Sequence, residues 1–144
     1  MSKIVTWKNS NGKLLGNEIV DAEKQLNIKF PQDYIEVVSN NDGGYPHPNK
    51  FKFNDKEEVF NNLISFKEDD YSNIFEVLED VSDRIVKGVI PIAEDPFGNL
   101  ICFDFRDKKV PNVIFWNHEV ADKDSEKSIL FICETFTKLL NMLY

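Results

Sequence analysis

Helical periodicity at both ends of the chain, with hairpin-spaced apolar runs between them, predicts an α+β fold in which a largely antiparallel central sheet is flanked by N-terminal helices and a C-terminal helix. The 144 residues suit one domain spanning 1–144, and a hydrophobic content of 42%, with twelve Phe, is enough for a core and excludes global disorder. A doubly wound α/β fold is excluded because the central strands leave no room for crossover helices.

The elements follow in order. Asn17 can cap a helix running to about Asn27, with Ile19, Ala22 and Leu26 at helical spacing. Pro31 suits the first turn of a second helix that carries Tyr34, Ile35, Val37 and Val38 and ends near Asn40. Asn41-Asp42-Gly43-Gly44 then terminates it, and Pro46 and Pro48 predict an irregular stretch. Lys50 to Phe53 alternates with period two, and the Val59–Phe66 region holds a second short strand or a turn of helix. Asn73 to Arg84 places Ile74, Val77, Leu78 and Val81 on one face of an amphipathic helix. Val89–Ala93 and Leu100–Phe105, joined by Asp95-Pro96-Phe97-Gly98-Asn99, make a hairpin. Asp107-Lys108-Lys109 turns the chain into a third strand, Asn112–Trp116, in which only one of Phe115 and Trp116 can face inward if the strand is regular. A closing helix capped by Ser125 or Ser128 runs through Ile129, Ile132, Cys133, Phe136, Leu139, Leu140 and Leu143 for about four turns.

The charge is unevenly placed. Of the net −8, residues 54–84 carry −7, from ten acids (Asp55, Glu57, Glu58, Glu68, Asp69, Asp70, Glu76, Glu79, Asp80 and Asp83) against Lys56, Lys67 and Arg84. Such a segment is either a solvated helix face with a charged loop or a docking surface for a basic protein. An acidic chain repels phosphate backbones, which argues against direct nucleic-acid binding. No apolar stretch approaches the roughly 20 residues of a membrane helix, and Met1 to Asn9 lacks the apolar run of a signal peptide, so a cytoplasmic protein without a membrane partner is expected.

Chemistry is sparse. Cys102 and Cys133 both sit in apolar runs, where a reduced thiol behaves as a small hydrophobe, so a nucleophile built from Cys102, His118 and Asp104 is disfavoured. His118-Glu119 is poor metal-ligand spacing, and Asp104, Asp107, Asp122 and Asp124 do not make a calcium loop. No enzyme, metal or cofactor is expected. Trp116, Phe115 and Tyr45 are candidates for an aromatic contact with a partner, against the plainer reading of strand-end aromatics as core.

In order along the chain, Ile28-Lys29-Phe30-Pro31-Gln32-Asp33-Tyr34, the Asn41–Gly44 turn, Ile90–Asp95, Gly98–Asp104, Val113–Glu119 and the Phe136 helix resemble the SUKH superfamily, or Smi/Knr-type domain. The stretch 57–87 matches least. The resemblance implies an α+β domain without enzymatic activity, whose bacterial members are immunity proteins that bind and neutralise a cognate toxin and whose fungal members are regulatory scaffolds. It leads to the expectation of an antitoxin that occludes a toxin, with a nuclease as the class its charge suits, and to a regulatory interaction scaffold as the alternative. The partner-binding residues expected are Asp55, Glu57, Glu58, Glu68, Asp69, Asp70, Glu76, Glu79, Asp80 and Trp116.

Overall fold

A computed structural model describes residues 4–106 and 110–144, so the expected turn at Asp107-Lys108-Lys109 lies outside the described residues. The elements are β1 (Thr6–Lys8), α1 (Asn17–Leu26), α2 (Gln32–Asn40), β2 (Tyr45–His47), β3 (Lys50–Phe53), β4 (Lys56–Val59), β5 (Asn62–Leu63), α3 (Ile74–Val81), β6 (Val89–Glu94), β7 (Leu100–Asp104), β8 (Asn112–Trp116), α4 (His118–Ala121), β9 (Ile129–Cys133) and α5 (Phe136–Met142). Strands β5-β6-β7-β8-β9 form one antiparallel sheet in sequence order, while β1 pairs with β2 and β3 with β4 in two small ribbons. This is the α+β architecture expected, with the β6–β7–β8 meander at its centre.

The sheet is covered on both faces. Register places Ile101, Phe103, Val113 and Phe115 on one face, where Phe103 meets Tyr34 of α2 and Phe136 of α5 with ring centroids 5.2 and 6.5 Å apart. The β3–β4 hairpin closes the same face, with Phe53 5.4 Å from Phe115. Leu100, Cys102, Ile114 and Trp116 lie on the other face, over which α3 packs against β6. Asp33 ties α2 to α5 by accepting the Thr137 amide at 2.9 Å and its hydroxyl at 2.8 Å. All these layers feed one hydrophobic cluster.

Several local expectations change. Phe115 and Trp116 are both buried, at 3% and 0% exposure, because a sheet with two covered faces buries both sides of a regular strand. The four-turn closing helix is instead β9 followed by the short α5, capped by the Thr135 side chain, which accepts from the Lys138 amide. Ile-Leu-Phe-Ile-Cys is rich in β-branched and aromatic residues, and pairing with β8 outweighs helical spacing over so short a run. Gly16, not Asn17, occupies the N-cap of α1; there the Glu18 carboxylate takes the Leu15 and Gly16 amides. Tyr45–His47 pairs with β1 where an irregular stretch was expected. Pro91 lies inside β6, beside a register shift between Pro91 and Ala93 in the pairing with β7.

Candidate functional site

The acidic segment divides in space. Asp55 sits with Asn54 at the positive-φ tip of the β3–β4 hairpin. Glu57 and Glu58 follow on β4, where Glu57 accepts the Tyr144 hydroxyl at 2.5 Å. Partial burial, then repulsion from Asp95, raises the pKa of Glu58 against the pull of Lys56. Glu68, Asp69 and Asp70 occupy the loop before α3, and Glu76, Glu79 and Asp80 stand exposed on α3 itself. Trp116 joins none of these. It is fully buried, with the Arg84 guanidinium 5.4 Å from its ring centroid, so its place is the core and not the surface.

What holds the acidic loop in place is a carboxylate from the turn after α2. Asp42 is completely buried, a costly site for a charge unless it is well bonded. One oxygen accepts the Phe66 amide at 2.8 Å. The other accepts the Ser65 hydroxyl at 2.5 Å and Asn11 Nδ2 at 3.2 Å. Asn11 Nδ2 also reaches Asp70 at 2.8 Å, and Asn73 then starts α3 by accepting the Phe75 and Glu76 amides. The turn that composition marks only as a helix stop is therefore the anchor of the charged loop.

Cavities flank this region. A groove of about 820 Å³ runs between α1 and residues 66–76, with Glu18 and Asp21 on one wall and Glu68, Asp69 and Glu76 on the other. Burial, the largest single effect, pushes the Glu18 carboxyl up, but the backbone amides of residues 18, 15 and 16 together, with the charge of Lys67, hold it below its usual range. A smaller cleft of about 290 Å³ is lined by Asn11, Asn61, Asn62, Asp70, Glu94 and Asp95. Burial, followed by repulsion from Asp70 and Asp95, raises the pKa of Glu94 although Asn62 Nδ2 donates to it at 3.1 Å. The structure thus joins the loop and α3 acids to four that sequence reasoning missed, namely Glu18, Asp21, Glu94 and Asp95, and leaves Asp55 and Glu57 apart on the hairpin. Asp95 was visible only as a turn former; its carboxylate takes the Phe97 and Asn99 amides, both at 2.8 Å. Nothing in a linear charge count brings α1 to α3.

The residues weighed for nucleophilic chemistry are engaged otherwise. Burial, and secondarily Asp104, pushes the Cys102 thiol well above its ordinary pKa, which keeps it protonated. Asp104 meets Arg106 through Nε and Nη2, both at 3.0 Å. The His118 ring lies against Gly98, where a Cβ would stand 3.3 Å from Nε2. Among the described residues no group of three or more His, Cys, Asp or Glu side chains is placed to hold a metal ion, and no helix is long and apolar enough to cross a membrane.

Comparison with known proteins places this fold in a wider group. A Bacillus subtilis (strain 168) protein described as "SPbeta prophage-derived uncharacterized protein YokK" is 31% identical over 71 residues, which cover 49% of this chain and 34% of that protein. The matched part is thus about a third of the relative's length. The SMI1 / KNR4 family (SUKH-1) matches residues 14–142, nearly every element described above, and the chain belongs to that family.

Proposed function

We propose that this protein is an immunity protein that binds a cognate toxin and neutralises it by covering its active surface. The observation that carries the reading is the gathering of acid around α3 in a member of this family: Glu68, Asp69, Glu76, Glu79 and Asp80 are exposed on one loop and one helix. A toxin that acts on nucleic acid presents a basic substrate groove, and an acidic partner both steers toward that groove and fills it. A nuclease is therefore the toxin class proposed, with the protein itself binding no nucleic acid and catalysing nothing.

The test is co-expression with the toxin domain encoded beside the gene, followed by pull-down and association kinetics at low and high salt. Replacing Glu79 and Asp80 with Lys keeps the fold, because both are exposed in the last turn of α3, where cations suit the helix dipole. The parent should associate faster at low salt, over a screening length of about 8 Å at physiological ionic strength, and the reversed variant should lose that advantage. Equal rates for the two would remove the electrostatic basis of the reading.

A further inference from the structure

The groove between α1 and residues 66–76 combines two features that a solvated surface does not need together. Its floor is apolar at Phe66, and its lips expose Phe75 at 38% and Leu15 at 90%. Its walls bring Glu18 and Asp21 of α1 opposite Glu68, Asp69 and Glu76, with Lys13 and Lys67 the basic residues among the lining. The Lys67 ammonium is already directed to the Asn11 carbonyl at 2.5 Å. Acids facing one another across a concavity sum their fields, and apolar lips in the same groove favour a ligand that carries positive charge and an apolar anchor at once. The smaller polar cleft offers almost no apolar surface and does not ask for such a ligand.

We infer that this groove seats a cationic amphipathic segment of the partner protein, which lays an apolar side chain across Leu15 and Phe75 and sets Lys or Arg against both acidic walls. At about 820 Å³ the groove holds the side chains of one short segment. The inference rests on the immunity reading for who the partner is, and it adds which element of the partner docks and that α1 forms half of the site.

The probe is a synthetic 16-residue peptide with Leu on one helical face and Lys and Arg on the other, compared with a scrambled isomer that has no apolar face and with a version carrying Glu for every base. Amide shifts of the isotope-labelled full chain should move at 15–25 and 66–76, and the amphipathic peptide should bind at least tenfold more tightly than its scramble. Leu15→Ser, at a side chain too exposed to matter for folding, and Asp21→Lys should each weaken binding about tenfold, whereas Phe75→Leu should retain it. Shifts centred on the β3–β4 hairpin or the polar cleft, equal binding of the scramble, or no binding would each overturn the inference. Cell protection against the neighbouring toxin separates the two readings. A parent that protects while Leu15→Ser and Asp21→Lys protect equally well refutes the groove and leaves immunity standing, and a parent that fails to protect refutes immunity whatever the peptide does.

Discussion

Asp42→Asn changes a single functional group at the buried point where the helical half of the molecule meets the acidic loop. The aspartate serves three donors: the Phe66 amide on one oxygen, and the Ser65 hydroxyl and Asn11 Nδ2 on the other. An asparagine keeps one acceptor oxygen and turns an NH2 group toward the remaining donors. If the oxygen stays with the Phe66 amide, the charge-assisted bond from Ser65 is lost and the rest weaken to neutral bonds. Hydrogen bonds to a charged group contribute about 1.5–3 kcal/mol each, so the expected cost is about 3 kcal/mol, and Asp42→Ala, which leaves the Phe66 amide buried and unpaired, should cost about 5 kcal/mol. For a chain of this size 3 kcal/mol corresponds to a drop in Tm of roughly 6–12 °C. Urea denaturation of the parent, both variants, Ser65→Ala and the Asp42→Asn/Ser65→Ala double variant supplies a cycle, in which the two single losses should exceed the double loss by about 1 kcal/mol. Amide exchange at Phe66 should accelerate in the same series. An Asp42→Asn midpoint within about 0.5 kcal/mol of the parent, with additive losses, would show that Asp42 is not the anchor.

Three further outcomes follow from the core and the polar cleft. Phe136→Ala should cost about 3–5 kcal/mol by denaturant titration, since the ring is fully buried between Tyr34 and Phe103. Tyr34→Phe should leave stability unchanged or raise it by about 1 kcal/mol, because the buried hydroxyl has no hydrogen-bond partner among the described residues; a loss of more than about 1 kcal/mol would reveal one. Glu94→Gln should stabilise the protein at neutral pH, and the gain should vanish in acid. The folded state raises the Glu94 pKa, so the native protein holds its proton more tightly than the unfolded chain, and the penalty is absent below the unfolded value and develops as pH rises through the folded one. A gain that persists well below pH 4 would contradict this.

Legibility in the sequence followed how local each signal was. The β6–β7 hairpin announced itself through Asp95-Pro96-Phe97-Gly98-Asn99, whose backbone preferences act without tertiary help, and α3 through Asn73 followed by a clean apolar stripe. The split of 129–142 into β9 and α5 was not legible, because Ile129, Ile132, Phe136 and Leu139 satisfy a helical period, and only an available β8 edge decides for a strand. Trp116 was misplaced for the same kind of reason: whether the second face of a strand is wet depends on α3 and Arg84, remote in sequence. The acid on α3 could be counted in one dimension. Its complement on α1, and the carboxylates of Glu94 and Asp95, enter only once the chain is folded.

Asn11 ties the segment that leads into α1 to the acidic loop. It precedes α1, donates to Asp42 in the turn after α2 and to Ser65 and Asp70 ahead of α3, and accepts Lys67 through its carbonyl. Gly43, at φ +68°, leaves the space it occupies; a Cβ there would lie 2.7 Å from Asn11 Nδ2. The loop side of the groove is thereby held in place before any ligand arrives, like a span held by a tie-rod. A preorganised receptor spends little entropy on ordering itself, so the ordering penalty of an encounter falls on the incoming segment. Affinity for different partners would then vary with how readily each partner's segment adopts its bound shape, and an added methyl at Gly43 would alter recognition from a site that no ligand touches.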